Sequence, residues 1–198
     1  HIKVSIKNKT VDELREIAKS LNVDVANERR RGKIVEKLFE KFVQPNLVNP
    51  TFVTLFPRDI SPLARPYRND PRYAERFEVY VNRLEVGNGY SELNNPIVQY
   101  YFFKKEEELR NEVLKSKGVE GEFHPMDKDY VRALEFGMPP TAGVGIGIYR
   151  LVMAILGLPS IKDVIPFIIV EQDDYRTVAE EHPDILEYYI NKLHLDKA

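Results

Sequence analysis

The sequence contains no cysteine among its 198 residues. This absence excludes disulfide frameworks, cysteine-ligated zinc and cysteine nucleophiles, and it fits a reducing compartment. No apolar run reaches the ~18 residues that a membrane span requires, and the first residues do not resemble a signal peptide. Neither sign of charge is in excess, with 29 basic and 31 acidic residues, so bulk electrostatics do not indicate a nucleic-acid binder. We therefore expect a cytoplasmic globular protein with no membrane partner.

The first 48 residues have helical periodicity. Thr10 and Glu13 have the spacing of a capping box, and the apolar period that follows predicts a helix from about Val11 to Leu21. A second amphipathic helix is predicted to end near Phe42. We interpret the basic run Arg29 to Arg31, which precedes this helix, as a solvated loop rather than a nucleic-acid contact.

The 13 prolines and 10 glycines are bunched along the chain, and strand signals begin after residue 48. Short segments rich in β-branched and aromatic residues predict strands, and Asn82-Arg83 between two of them predicts a hairpin turn. The predicted strands are Phe52 to Phe56, Arg76 to Val81, Leu84 to Leu93, Gly143 to Ile148, and Val164 to Val170. The predicted later helices are Pro96 to about Lys117, Asp127 to Glu135, Tyr149 to Leu156, and Asp174 to Leu195 with a break at Pro183. Helices mixed with a central hairpin indicate an α+β fold, an antiparallel β-sheet flanked by helices.

The central hairpin carries glutamates, which are disfavoured in strands. A two-residue turn places Tyr80 opposite Glu85 and Val79 opposite Val86, so that Glu78 and Glu85 are diagonal neighbours on one face. Two carboxylates this close repel each other unless a cation lies between them. Mg²⁺ takes such oxygen ligands while it bridges substrate phosphates. A solvated face, with the glutamates paired to arginine or lysine, is the alternative that the pattern leaves open.

Strict alternation places Asn88, Tyr90 and Glu92 on the face opposite Glu85. A β-bulge at one of the two glycines of this strand would rotate them back, and bulges are common beside active sites. Glu85, Asn88 and Glu92 would then converge on one pocket, where a lone buried carboxylate requires a cationic ligand.

Three glycines, Gly143, Gly145 and Gly147, alternate along the predicted strand and leave one of its faces without side chains. A flat group or another backbone can approach such a face closely. Arg150 follows in the first turn of the next helix, where its forked donors can meet a phosphate. The pattern is neither a Walker A loop nor a GxGxxG fingerprint, and tight helix–sheet packing is the alternative explanation.

Six stretches of the sequence follow one another in a specific order. They are Asn49-Pro50-Thr51-Phe52, Ser61-Pro62-Leu63-Ala64, Glu75-Arg76-Phe77-Glu78, residues 85–94, residues 135–147 and Val164-Ile165-Pro166-Phe167. Together they resemble the C-terminal half of the catalytic domain of class II lysyl-tRNA synthetases, from about Thr10 to Val170. The resemblance implies that residues 1–48 are a helical segment of that domain, residues 49–171 the sheet-and-helix half of its core, and residues 172–198 a C-terminal helical tail.

The resemblance also implies the roles of the polar residues. Glu78 and Glu85 would hold Mg²⁺ at the phosphates of ATP. Asn88 and Glu92 would bind the substrate lysine, with Glu92 facing its ammonium group, and Tyr90 would line the slot for its side chain.

Arg150 would be the catalytic residue by the same resemblance, in contact with the γ-phosphate and the adenine region of ATP. Tyr149 stands where the family usually has aspartate. The implied reaction is attack of the lysine carboxylate on the α-phosphorus of ATP, followed by transfer of the lysyl group to tRNA. The residues that would bind ATP are Glu85, Val86, Gly143, Gly145, Gly147, Ile148, Tyr149 and Arg150.

The family's other two signature motifs and its anticodon-binding barrel would lie before residue 1. We therefore expect a fragment, a split half or a truncated paralogue of lysine–tRNA ligase that is inactive alone and meets tRNA(Lys) only as part of a complete enzyme. The alternatives are a non-catalytic lysine-sensing or partner-binding module and a lysine ligase that acts on a protein. Because a sheet cut in its middle exposes an edge and apolar surface, we also expect a homodimer or a partner chain to cover it.

Overall fold

The structure is a computed structural model that describes residues 6–117, 125–168 and 178–193. The chain divides into two compact units, His1–Pro159 and Ser160–Ala198. The elements of the first unit are α1 (Val11–Ser20), α2 (Arg31–Phe42), β1 (Thr51–Thr54), β2 (Arg76–Val81), β3 (Leu84–Ser91), α3 (Pro96–Lys117), α4 (Lys128–Glu135), β4 (Ala142–Ile146) and α5 (Ile148–Leu156), with single 3-10 turns at Gln44–Asn46 and Arg58–Ile60. The second unit contains a 3-10 turn (Ile161–Asp163), α6 (Val178–Glu181) and α7 (Pro183–Leu193).

The N-terminal helices form a core of their own. α1 begins at the predicted capping box, in which the Thr10 hydroxyl accepts from the Glu13 amide and the Glu13 carboxylate accepts from the Thr10 amide. Apolar side chains between α1 and α2 are removed from water, which stabilises the pair by about 1.5–3 kcal/mol for each large side chain. The buried cluster consists of Leu14, Ala18, Val25, Ile34 and Leu38.

The four strands form one antiparallel sheet in the order β1-β2-β3-β4, which confirms the predicted α+β class. β2 and β3 are joined by the predicted two-residue turn, in which Asn82 and Arg83 have φ of +49° and +70°. These values belong to a type I′ turn, whose twist matches that of the strands. The turn is also held from outside, because the Asn82 and Arg83 amides donate to the Val48 and Leu47 carbonyls at 2.9 and 2.8 Å.

Of the five predicted strands, only Arg76 to Val81 has the predicted bounds. β3 ends at Ser91 rather than Leu93, and β4 spans Ala142–Ile146 rather than Gly143 to Ile148. β1 ends at Thr54 rather than Phe56, because Leu55 has φ of +61°, a left-handed conformation that interrupts an extended strand. The predicted strand Val164 to Val170 is wrong for residues 164–168, which follow a capped 3-10 turn and form no strand. Residues 169–170 lie outside the described part of the chain.

The predicted break at Pro183 is confirmed. α6 ends at Glu181, and α7 begins at Pro183 itself, where a missing N–H costs nothing because first-turn amides have no partner within the helix. Residues 174–177 and 194–195 of the predicted terminal helices lie outside the described residues.

The arginines before α2 do not form a solvated loop, so that interpretation is wrong. Arg30 Nη1 lies 3.1 Å from Glu106 Oε1 of α3, and these side chains are only 15% and 9% exposed. Arg31, the first residue of α2, donates to the Ile6 and Lys9 carbonyls at 2.9 and 3.0 Å. The run therefore connects α2 to α3 and to the segment that precedes α1.

β4 lies at one edge of the sheet, and all five of its residues are exposed. The following helix, α5, buries Met153 but exposes Ile148, Ile155 and Leu156. An open strand edge beside exposed apolar side chains can bind another chain, and the homodimer or partner contact stays a prediction. Within the described residues, no helix is long and apolar enough to cross a membrane.

Candidate functional site

The hairpin of β2 and β3 departs from a regular ladder at one place. Tyr80 pairs with Glu85 as predicted, but Val79 pairs with Gly87, so the predicted pairing of Val79 with Val86 is wrong. Val86 is an extra residue in β3, a β-bulge, and its side chain is buried. The bulge therefore lies at Val86, one residue before Gly87, rather than at either of the two glycines where we expected it.

The extra residue changes which side chains share a face. Asn88 lies opposite Glu78, and Tyr90 lies opposite Arg76. Because paired residues in a ladder point to the same side of the sheet, Glu85 shares its face with Asn88 and Tyr90. The structure thus brings together residues that strict alternation would separate.

A cavity of about 600 Å³ is lined by this face and by α2. Glu78, Glu85, Asn88 and Arg150 all line it. Its charged side chains number four acidic and two basic, so the cavity favours a cation, or an anion accompanied by a cation. These charged residues are Glu36, Glu40, Glu78, Glu85, Arg76 and Arg150.

Glu78 is held by two donors on its own strand. Arg76 Nη2 donates to Glu78 Oε1 at 2.6 Å, and the Tyr80 hydroxyl donates to Oε2 at 2.5 Å. Arg76 also donates to the Ser61 hydroxyl at 3.2 Å. Burial, and then the hydrogen bond to Glu78, raises the pKa of Tyr80, so this phenol remains protonated and keeps donating.

Glu85 is the more open of the two carboxylates. Its Oε1 accepts from Asn88 Nδ2 at 3.1 Å, and Arg150 Nη1 lies 3.5 Å from its Oε2. Arg150 also donates to the Glu85 carbonyl at 3.3 Å, and its side chain is half exposed. The Arg150 guanidinium is therefore held beside Glu85 through Nη1, while its exposed side chain can still donate to an anion.

The two carboxylates suit Mg²⁺, which takes oxygen ligands and commonly uses one or two carboxylates together with substrate phosphates. Glu85 fits as a direct ligand, since its contact with Arg150 is long. Glu78 fits as the second, through lone pairs that Arg76 and Tyr80 leave unused. Among the described residues no group of three or more acidic or histidine side chains could hold a metal ion alone, so phosphate oxygens would have to complete the shell.

Glu92 follows the end of β3, and its Oε1 would lie 3.2 Å from a methyl group at Gly143. Burial raises the pKa of the Glu92 carboxyl. Burial, and then the Glu92 charge, also raises the pKa of Tyr90 and of Tyr130 on α4. A smaller cavity of about 210 Å³ is lined by Tyr90, Asn88 and Arg76 and continues the face that carries Glu85. Glu92 lines neither of these two cavities.

Two of the three alternating glycines lie in β4. Gly143 pairs with Tyr90 and Gly145 with Asn88, whereas Gly147 is the N-cap of α5 and therefore does not continue the strand. A methyl group at Gly145 would meet no described atom closer than 4.0 Å. The packing of the described chain thus leaves room at Gly145 for the close approach of another group.

The glycines of β3 are required by packing instead. A methyl group at Gly87 would lie 2.7 Å from the Gly145 carbonyl oxygen, and one at Gly89 would lie 2.6 Å from the Gly143 carbonyl oxygen. The close approach of β4 to β3 is therefore possible only because both residues lack side chains.

The start of α5 is fixed to the bulge. The Gly147 amide donates to the Val86 carbonyl at 2.9 Å, which positions Arg150 one turn later beside Glu85. Ile148 and Tyr149 are exposed on the first turn, and neither lines the cavity that contains Arg150.

Sequence reasoning missed the contribution of α2 to the cavity. Glu36 and Glu40 are four residues apart on one helix face, and Phe39 packs edge-on against Tyr80 with ring centroids 5.6 Å apart. Burial, and then the charge of Glu36, raises the pKa of Glu40. The i, i+4 spacing was a usable signal for a shared face, but nothing local to α2 indicated that β2 lies against it.

Comparison with known proteins agrees with the resemblance. The family model of class II tRNA synthetases (D, K and N) matches residues 3–170. The lysine–tRNA ligase of Saccharolobus solfataricus is 47% identical over 163 residues, which cover 82% of this chain and 32% of that protein. The lysine–tRNA ligase of Thermosipho africanus is 46% identical over 167 residues, 84% of this chain and 32% of that protein.

A third relative, the lysine–tRNA ligase of Aquifex aeolicus, is 46% identical over 159 residues, 80% of this chain and 26% of that protein. The chain thus spans between about a quarter and a third of the length of the relatives it matches.

Proposed function

The chain belongs to the family of class II tRNA synthetases (D, K and N), and on that premise we propose that it carries the lysine- and ATP-binding face of a lysine–tRNA ligase. The observation that supports this most directly is the convergence of Glu78, Glu85, Asn88 and Arg150 on one cavity through the bulge at Val86. The acidic surplus of that cavity suits a nucleotide that arrives with Mg²⁺.

The lysine substrate would lie along the face of β3. The ammonium group pairs with the Glu92 carboxylate, whose raised pKa reflects burial without a compensating cation. Asn88 orients the α-amino acid end, and Tyr90 lines the slot for the aliphatic chain. An ammonium beside Glu92 would return its pKa toward the ordinary range and keep it ionised.

ATP would lie across β4 and the start of α5. Glu85 and Glu78 would hold Mg²⁺, which would offset the charge of the phosphates. Arg150 donates to the γ-phosphate, and the bare surface at Gly143, Gly145 and Gly147 admits the flat adenine ring against the backbone. Val86, Ile148 and Tyr149 border this surface.

The reaction depends mainly on how the lysine carboxylate and the α-phosphorus of ATP are positioned. A lysine carboxylate oxygen forms a bond to the α-phosphorus, the bond from that phosphorus to the bridging oxygen breaks, and pyrophosphate leaves. Asn88 and Glu92 hold the nucleophile, while Arg150 offsets the charge that develops on the leaving group. The lysyl group is then transferred to tRNA(Lys). A homodimer or a partner chain covers the exposed edge of β4.

Calorimetric titration of the 198-residue chain with lysine, alone and with ATP and Mg²⁺, tests this function. We expect saturable lysine binding that is lost in Glu92→Gln and kept in Glu135→Gln, a matched change on the exposed face of α4. Equal binding of lysine by both variants, or no binding by the unaltered chain, would contradict the proposal.

A further inference from the structure

A second cavity, of about 650 Å³, shares no lining residue with the 600 Å³ cavity of the candidate site. It lies among the start of α2, the 3-10 turn at Arg58–Ile60 and α3. Its volume is typical of sites for small molecules, which combine apolar walls with a few polar groups. The aromatic and apolar walls are Pro62, Pro71, Tyr73, Tyr101, Phe102 and Leu109.

The polar group that distinguishes this cavity is Arg58, which lines it and is only 8% exposed. Arg58 Nη1 donates to the Ser61 carbonyl at 2.6 Å, and the guanidinium carbon lies 3.4 Å from the centre of the Phe102 ring. In the part of the chain that the structure describes, the buried Nε and Nη2 have no hydrogen-bond partner.

A buried guanidinium with two unsatisfied donors is costly. Burial lowers the pKa of Arg58 to about 10, and the neighbouring Asp59 charge offsets only part of that effect. Asp59 Oδ2 is engaged elsewhere, since it accepts from the Gly32 amide at 2.8 Å. The charge of Arg58 therefore lacks a full partner within the described chain.

The other cations around the cavity already have partners. Arg31 donates to two backbone carbonyls, at 3.0 and 2.9 Å. The remaining cations and the carboxylates of the walls pair as Arg30–Glu106 at 3.1 Å, Lys105–Glu108 at 2.7 Å, Arg72–Asp70 at 2.6 Å and Arg29–Glu112 at 3.8 Å. Arg31 and Arg58 are thus the two cations of the cavity that form none of these ion pairs.

We propose that this cavity binds a small organic anion, whose carboxylate or phosphate seats on the Nε–Nη2 edge of Arg58 while its apolar body contacts Phe102 and the neighbouring aromatic rings. That edge of a guanidinium presents two parallel N–H groups, the geometry that accepts such an anion through two hydrogen bonds. The site is separate from the proposed lysine and ATP face and does not depend on that function.

Access to Arg58 requires side chains at the cavity mouth to move, because both free nitrogens are closed to solvent. Tyr101 is 52% exposed, and the Lys105 side chain is 54% exposed. These two residues line the cavity, and their exposed side chains can rearrange there.

Calorimetry with benzoate, phenyl phosphate and neutral benzyl alcohol tests the proposal on the 198-residue chain. We expect saturable binding of one or both anions and none of the alcohol, and the stronger anion assigns the class of ligand. Arg58→Met should weaken that binding by roughly 10- to 100-fold, the effect of losing a charge-assisted pair of hydrogen bonds. Arg68→Met, at an exposed residue outside the cavity, should leave it unchanged.

The ¹⁵N–¹H signal of the Arg58 side-chain Nε gives a second readout, which we expect to shift on anion binding. Arg58→Met removes an incompletely paired buried charge, so the variant should keep its fold, and circular dichroism checks this. Binding that is equal in Arg58→Met, or no saturable binding of either anion up to about 10 mM, well above the ~1 mM Kd of a weak ligand, would overturn the proposal.

Discussion

Asn88 lies directly opposite Glu78 in the ladder between β2 and β3, although regular alternation from Glu85 would place it on the other face of the sheet. The cause is the β-bulge at Val86, an extra residue of β3 that has no partner in β2. The hydrogen bond from Asn88 to Glu85 depends on this irregularity.

Insertion of one alanine between Val79 and Tyr80 would give Val86 a partner and restore a regular ladder. Glu85 would then face away from Glu78 and Asn88. Side chains alternate between the two faces along a strand, so one added residue reverses the faces of the residues on one side of it relative to those on the other. We expect binding of lysine and of ATP with Mg²⁺ to be lost, as measured by calorimetry, while far-UV circular dichroism remains close to that of the unaltered chain.

Val86→Ala is the matched control for this insertion. It keeps the register and loses only buried methyl groups, so we expect a cost of about 2 kcal/mol in stability with lysine binding retained. Retention of binding by the insertion variant would show that the bulge does not assemble the site.

The sequence predicted the hairpin and its turn because these depend on neighbours in the chain. Asn82 tolerates positive φ, and the alternation of apolar residues set both strands. The position of the bulge depends instead on where the Val86 side chain is buried and on how closely β4 approaches Gly87. No local signal distinguishes Val86 from any other strand valine.

Two other predictions are wrong because they were made from neighbouring residues alone. Arg30 pairs with Glu106, 76 residues away, so a local charge run gave no hint of its buried partner. The apolar run from Val164 to Val170 suggested a strand, but periodicity alone cannot tell a short apolar strand from an irregular segment.

Gly145 and Gly87 provide a matched pair of substitutions. Gly145→Ala adds a methyl group that meets no described atom closer than 4.0 Å, so we expect stability within about 0.5 kcal/mol of the unaltered chain but weaker ATP binding. Gly87→Ala places its methyl group 2.7 Å from the Gly145 carbonyl oxygen, which should cost about 1–3 kcal/mol. Urea denaturation and nucleotide titration separate the two effects; normal ATP affinity in Gly145→Ala would contradict a nucleotide at this surface.

Glu92 should make stability depend on pH. Burial raises its pKa, so the folded chain holds this proton more tightly than the unfolded chain, and stability falls as pH rises from the ordinary glutamate pKa of ~4.3 to the raised value. Glu92→Gln removes the ionisation, and we expect it to melt at a higher temperature than the unaltered chain at pH 7 but at a similar temperature near pH 4.

Lysine should remove this difference at pH 7, because its ammonium stabilises the ionised carboxylate of the unaltered chain only. The exposed Glu135→Gln change serves as the control, with no pH-dependent difference expected. A lower melting temperature for Glu92→Gln at pH 7 without ligand would show that Glu92 has a stabilising partner already.

Arg76 and Glu78 form the least exposed ion pair of the site, with side chains 20% and 8% exposed and 2.6 Å between Nη2 and Oε1. Arg76→Met would leave the Glu78 charge with only the Tyr80 hydroxyl as a partner, and we expect a loss of about 3–5 kcal/mol in urea denaturation. Tyr80→Phe removes only that hydroxyl from the same carboxylate and should cost about 1–3 kcal/mol.

The double variant Arg76→Met with Glu78→Gln distinguishes pairing from general disruption. Once the carboxylate is replaced by an amide, no charge is left unpaired, so the double variant should be less destabilised than the sum of the two single changes by about 1–3 kcal/mol. If the single effects simply add, Arg76 stabilises the chain through its contacts with Ser61 and Ile60 rather than through its pair with Glu78.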